Sequence, residues 1–213
     1  MHLSGKKGGI LLEEEQMVER MKQGDREAFD YIYEIYQNRI LRMAYLIVGN
    51  AVDSEDIAQE TFVKCFIHCK ELKDNSVFKS WLYCILTRTA WEYGKKSKRE
   101  VPDEEIVKNI EKSDEISSLD IVMDEEQTKV IRNAIKQLDI KQRTVVVYYY
   151  YNQMSTKEIA KACNCLEGTV KSRLFTARRN LRNSLQEMER EVVCYEKGKQ
   201  LRQENNQSIV WGK

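Results

Sequence analysis

Near the end of the chain, one set of residues has the chemistry of a DNA reader. At about 100° per residue, Gly168, Ser172, Phe175, Thr176 and Arg179 share one helical face, flanked by Lys171 and Arg182, and that face carries no acid. Small and hydroxyl-bearing residues at a helix start let it lie in a major groove and meet base edges, while the guanidinium groups behind them hold phosphates. A second set is Lys73, Asp74, Asn75 and Ser76 with Arg88, Tyr93, Lys95, Lys96 and Arg99. It combines cations, polar groups and an aromatic ring, the company that splayed single-stranded bases need. The plain alternatives are a solvated basic face for the first set and a helix end whose cations complement the dipole for the second. A third set, Asp53, Asp56, Gln59 and Glu60, lies opposite or beside an apolar stripe, and residue type alone makes it an ordinary solvated face.

Catalysis and metal binding find little material. Cys65, His68 and Cys69 could ligate from one helix face, but both cysteines fall on an apolar stripe, no fourth ligand is adjacent, and a buried cysteine behaves as a small hydrophobe. The pair Cys163 and Cys165 spans a helix end and a turn. With only His2 and His68 in the chain, a histidine-based enzyme has almost nothing to use. We expect no metal, no cofactor and no catalysis.

These residues need helices to hold them. Phe29, Ile32, Tyr33, Tyr36, Ile40, Met43, Ala44 and Ile47 recur at helical spacing and predict one long helix from Asp25 to Val48, with Gly24 before it and Gly49-Asn50 as its stop. A shorter helix precedes it from about Leu12 to Lys22. Asp53 is the expected cap of the next helix, whose stripe is Ala58, Phe62, Cys65, Cys69 and Leu72. A fourth starts near Val77 and buries Phe78, Trp81, Leu82 and Ile85. Further on, helices are expected from Thr128 to Leu138, Lys141 to Tyr151, Thr156 to Cys163 and Glu167 to about Arg190. Ser155 and Glu158 form a capping box. Only Asn164-Cys165-Leu166 separates the last two helices, as in a helix-turn-helix. Of the four consecutive tyrosines Tyr148 to Tyr151, some must be core, since they point all round a helix.

Composition agrees with an all-α chain. One proline and nine glycines leave few turns for a many-stranded sheet. No apolar stretch approaches the roughly 18 residues of a membrane span, so no membrane insertion and a cytoplasmic location are expected. The balance of 35 basic and 34 acidic residues hides a division. From Glu100 to Glu126 eleven acids stand against two bases; from Gln127 to Arg190 thirteen bases stand against five acids. The expected organisation is an N-terminal extension 1–11, a helical domain 12–99, an acidic and mostly extended linker 100–126, a helix-turn-helix domain of four helices 127–190, and a polar tail 191–213.

Three blocks carry a family resemblance. Glu158-Ile159-Ala160 followed by Glu167-Gly168-Thr169-Val170-Lys171-Ser172-Arg173-Leu174-Phe175 and Ala177-Arg178 closely resembles the DNA-reading helix-turn-helix of extracytoplasmic-function sigma factors. Asp53-Ser54-Glu55-Asp56-Ile57-Ala58-Gln59-Glu60-Thr61-Phe62-Val63 resembles the polymerase-binding helix of that family. Phe78-Lys79-Ser80-Trp81-Leu82-Tyr83 resembles the start of its promoter-melting helix. Together they span roughly Leu12 to Leu185. Leu166 departs from the usual Ser or Pro, and Cys84 and Thr89 stand in place of a common Arg and Asn.

The resemblance implies an alternative sigma factor that directs promoter-specific initiation and is not itself an enzyme. Gly168, Thr169, Lys171, Ser172, Arg173, Phe175, Thr176 and Arg179 would read the minus-thirty-five element. The set from Lys73 to Arg99 would hold the minus-ten element. Asp53, Asp56, Gln59 and Glu60 would meet the β′ clamp helices of core RNA polymerase, and the tyrosine segment its β flap. A cognate anti-sigma protein is an expected partner, with the two domains closing around it or opening onto the polymerase. The rival readings are a free-standing helix-turn-helix regulator of duplex DNA and an anti-sigma-like binding protein.

Overall fold

The computed structural model describes residues 4–96 and 125–186, with side chains described for residues 13–95 and 131–186. Among the described residues all regular structure is helical. The first four helices are α1 (Ser4–Lys22), α2 (Arg26–Val48), α3 (Ala51–His68) and α4 (Phe78–Lys96). After the gap come α5 (Glu125–Lys136), α6 (Ile140–Val146), a π-helical turn (Val147–Tyr151), α7 (Thr156–Ala162) and α8, residues 167–186. The acidic segment up to Asp124 and the chain from residue 187 lie outside the described residues.

Two neighbouring pairs of residues make the sharp corners of the first half. Gly24, at φ 91°, ends α1 with its N–H on the Met21 carbonyl, and the Asp25 N–H reaches the Arg20 carbonyl at 3.1 Å. That is the left-handed helix stop in which glycine costs nothing. Asp25 then caps α2 by accepting from the N–H groups of Glu27 and Ala28. Gly49, at φ 86°, ends α2 in the same conformation, and Asn50 caps α3. A glycine followed by an Asp or Asn thus stops one helix and starts the next. The cap of α3 is Asn50 and not Asp53, because the helix begins at Ala51 and puts Asp53 in its first turn. There the Asp53 N–H donates to Asn50 Oδ1 at 2.7 Å and Asn50 Nδ2 donates back to Asp53 Oδ2 at 2.6 Å. α1 starts well before the expected Leu12.

The predicted stripe of α2 is its buried face: Ile32, Tyr36, Ile40, Met43, Ala44 and Ile47 pack against Ile57, Phe62 and Cys65 of α3 and Phe78, Leu82, Tyr83 and Leu86 of α4. Each fully buried aliphatic side chain contributes about 1.5–3 kcal/mol relative to exposure. The buried hydroxyls of Ser54 and Thr61 on α3 donate to carbonyls of their own helix, those of Ala51 and Ile57. The core does not stop at α4. Val145, Val147, Tyr148, Ile159, Val170, Leu174 and Ala177 continue it, so the two halves share one apolar interior.

Candidate DNA-reading and docking surfaces

The helix expected to read DNA, α8, is aimed by the turn that precedes it. Ser155 caps α7, its N–H donating to Glu158 Oε2 at 2.8 Å while its hydroxyl accepts from the Glu158 N–H, the box legible in the sequence. The Ser155 hydroxyl and then its amide hold the Glu158 carboxyl below its ordinary range. At the other end Asn164 takes φ 47°, its N–H bonds the Lys161 carbonyl and the Cys165 N–H bonds the Ala160 carbonyl at 3.0 Å. Asparagine is the non-glycine residue that adopts this conformation at low cost. Leu166, 80% exposed, then opens α8 with no hydroxyl cap. Glu167 compensates. It accepts from the Thr156 hydroxyl at 2.8 Å and pairs with Lys171 at 2.9 Å, which ties the start of α8 to the start of α7. Lys171 first, and Thr156 second, lower its pKa.

Val170, Leu174 and Ala177 bury the inner face of α8. Outside, Gly168, Ser172, Phe175 and Arg179 are exposed, and Thr169 and Thr176 are half-buried. Phe175 leaves 69% of its surface in water. Two arginines of this helix lie against aromatic rings, and one of them, Arg173, was expected to read DNA. Arg173 turns inward, its guanidinium 5.7 Å from the centre of the Trp91 ring on α4 and its Nη1 3.9 Å from Cys165 Sγ. Arg178 lies over Tyr149 and Tyr150 and donates from Nε to the Tyr150 hydroxyl at 2.8 Å.

The second set divides in two. Lys73, Arg88 and Lys95 are exposed, whereas the side chains of Lys96 and Arg99 lie outside the described residues. Asn75 is occupied within the fold. Its Nδ2 donates to the Glu15 carbonyl and to Glu19, and its Oδ1 accepts from Lys22 at 3.1 Å, so it fastens the loop before α4 to α1. Asp74 accepts from both the N–H and the hydroxyl of Ser76. Tyr93 is half-buried; desolvation, and then Glu60, raise its pKa. The departures at Cys84 and Thr89 have a physical reason, since both positions face protein. Thr89 is buried and accepts from Lys64 at 3.1 Å. Cys84 is half-buried, and burial raises the pKa of its thiol, against the nearby Arg88.

The third set lies on the outer ridge of α3. Asp56 and Gln59 are exposed, Asp53 is held by Asn50, and Glu60 pairs with Lys64 at 2.8 Å. Val52, Asp56, Gln59, Val63 and Ile67 follow one another along that ridge, with Phe66 beside them. Val63 and Ile67 are 56% and 63% exposed. Phe66 and Ile67 lie beyond the block that ends at Val63, and their place off the buried stripe is the sequence signal that finds them. A groove of about 220 Å³ between α2 and α3 runs alongside, lined by Tyr33, Gln37, Asn38, Leu41, Glu55 and Gln59. Phe29, Tyr33, Phe62 and Phe66 continue it as an edge-to-face aromatic cluster, with Tyr33 and Phe62 4.8 Å apart.

His68 pairs with Glu71 at 2.7 Å, and Cys65 and Cys69 are buried on the inner face of α3 and its 3-10 extension. Burial, aided by Cys69, pushes the Cys65 thiol up to about 12.

Comparison with known proteins places these surfaces in context. Residues 32–100 match Sigma-70 region 2, and residues 128–181 match Sigma-70, region 4. The chain is 31% identical over 179 residues to the ECF RNA polymerase sigma factor SigW of Bacillus subtilis (strain 168), covering 80% of this chain and 96% of that one. It is 30% identical to the RNA polymerase sigma-H factor of Pseudomonas aeruginosa, covering 84% of this chain and 97% of the other. In fold it is similar to CnrH in complex with the cytosolic domain of CnrY, with a TM-score of 0.62 at 18% identity over 81% of this chain and 97% of that one.

Proposed function

The chain belongs to the extracytoplasmic-function sigma factors of the sigma-70 family, alternative sigma factors that direct transcription, and we propose how its surfaces divide that work. The outer face of α8, with Gly168, Thr169, Ser172, Phe175, Thr176 and Arg179 and the flanking Lys171, reads the minus-thirty-five element. Hydroxyls and a glycine at the helix start approach the base edges, and Arg179 holds backbone phosphate. The exposed cations Lys73, Arg88 and Lys95, with Tyr93, Lys96 and Arg99, engage the minus-ten element, and Asp74, Asn75 and Ser76 shape the loop that presents Lys73. Asp53, Asp56, Gln59 and Glu60 dock on the β′ clamp helices of core polymerase, extended by the apolar Val63, Phe66 and Ile67. The exposed Tyr150, braced by Arg178, lies where the β flap would seat. The chain performs no catalysis itself; residues 12–99 and 127–190 act as two functional parts joined by the acidic stretch.

The observation that carries this reading is the exposed, acid-free outer face of α8. A protein inhibitor is part of it: the sigma factor RpoE from Bartonella quintana, solved in complex with the anti-sigma factor NepR, shares the fold at a TM-score of 0.55. Run-off transcription with core polymerase on genomic fragments is the test. Ser172→Ala or Arg179→Ala should lower promoter recognition by one base-reading or backbone contact, about 1–3 kcal/mol, and leave polymerase binding intact. Asp56→Arg with Gln59→Arg should do the reverse. Equal loss of core binding in both sets would mean that the faces are wrongly assigned.

A further inference from the structure

One acid stands at the entrance of the helix expected to read DNA. Glu167 lies in the first turn of α8, one turn before Lys171 and on the flank of the exposed face that carries Gly168, Ser172 and Phe175. Its structural work falls on a single oxygen. Oε1 accepts from the Thr156 hydroxyl at 2.8 Å and meets the Lys171 ammonium at 2.9 Å, while Oε2 has no hydrogen-bond partner among the described residues. The Glu167 side chain keeps 33% of its surface in water. Nothing crowds it from the side of Gly168, where a built Cβ would meet no atom within 4 Å.

Three properties suit that second oxygen to a base edge. Residues at the start of a recognition helix are the ones that contact base edges in the major groove. A carboxylate alone would be repelled by phosphates, but here Lys171 at contact distance and the exposed Lys157 of α7 offset its charge. The carboxyl is also ionised: Lys171, and then Thr156, hold it below its ordinary range, so both oxygens only accept. In the major groove cytosine N4 and adenine N6 donate, whereas guanine O6 and thymine O4 accept. We propose, resting on the reading of α8 given above, that Glu167 is a base-selecting residue whose Oε2 accepts from an amino group in the minus-thirty-five element. One position of one strand then takes cytosine or adenine and rejects guanine and thymine, because a keto oxygen there would face a carboxylate with no proton between them. One oxygen makes good the missing hydroxyl cap, and the other selects a base.

The test isolates heparin-resistant complexes of core polymerase with the full chain from a promoter library randomised through the minus-thirty-five element, and sequences the retained DNA. The wild type should favour cytosine and adenine over guanine and thymine by roughly fivefold or more at one position. Glu167→Gln keeps an oxygen for Thr156 and presents an amide that either accepts or donates, so that preference should vanish while those at other positions stand. Thr156→Val removes the tie between the helices and leaves the carboxylate; total retention should fall and the preference should persist. Helix content by circular dichroism checks that both variants fold. An unchanged profile in Glu167→Gln would overturn the proposal, as would a Glu167-dependent position that favours guanine or thymine. Equal loss at every position, or a loss in Thr156→Val as large as in Glu167→Gln, would also overturn it, since Glu167 would then only place the helix. A wild type that enriches no position of the element would instead overturn the reading of α8 itself.

Discussion

The first four helices and the last four solve the problem of stability differently. α1 to α4 run 18 to 23 residues each and enclose a core of their own, cornered by the Gly24-Asp25 and Gly49-Asn50 pairs. α6 and α7 have only seven residues each, too short to be helical alone in water. They are held by caps, by the π turn and by α4, under which Tyr148 is completely buried. The lesson is one of dependence: the first half is built of long helices, and the second half rests its short ones on α4.

The largest expected effect tests that dependence. Tyr148→Ala empties a buried site and should cost about 3–5 kcal/mol. In amide hydrogen exchange on the full chain, α6 and α7 should lose protection while α2 and α3 keep theirs. Equal loss in both halves would mean that they unfold as one unit, and the comparison would fail. Next comes Arg143, whose guanidinium bonds the carbonyls of Ile135, Lys136 and Leu138 in the second half and of Ile47 at the end of α2. Burial lowers its pKa. Arg143→Met should cost about 1.5–3 kcal/mol in thermal unfolding and shift the second half more than the first.

The caps provide a smaller, matched pair. Asn50→Ala and Ser155→Ala each remove a side-chain cap worth about 1 kcal/mol. Exchange should report the loss near the start of α3 in one case and throughout the seven-residue α7 in the other. The smallest effect is silent at neutral pH. Burial pushes the thiols of Cys65, in the first half, and Cys163, in the second, from 9.0 to about 12. A raised thiol pKa gives stability that is whole below pH 9 and is lost as pH rises toward 12, because the unfolded thiol ionises first. Cys65→Ala should flatten that alkaline loss in the first half and Cys163→Ala in the second, in denaturant titrations from pH 8 to 11.

Much of this was legible because it is local. The α2 stripe, the Ser155 and Glu158 box, and the glycine stops are patterns within one or two turns, and the structure repeats them. What escaped the sequence depends on partners far along the chain. Asn75 has the polarity of a nucleic-acid contact, yet residues 53 to 60 positions earlier occupy its amide. Arg173 is grouped by its motif with the residues expected to read the minus-thirty-five element, and only the packing of α8 near α4 shows that it turns to Trp91. Thr89 and Cys84 were odd as DNA-facing residues and ordinary as inward ones. The cap of α3 was misplaced by three residues because Asn50 and Asp53 are both good caps, and their mutual hydrogen bonds decide which one leads.

The π turn at Val147–Tyr151 has an implication for the length of the chain. Its Asn152 N–H reaches back to the Val147 carbonyl at 3.1 Å, one residue further than an α-helical bond would span. One tyrosine of the four is therefore surplus to a regular helix. Removing Tyr149 or Tyr150 would close the turn to ordinary α geometry while the segments on either side keep their headings, because the wide turn is what absorbs the extra residue. Tyr148 would then stay beneath α4. Shortening the run by one of these two should thus be tolerated about as well as exchanging it for alanine, whereas shortening it by two should displace α7, and the repeat carries one letter more than a regular helix needs.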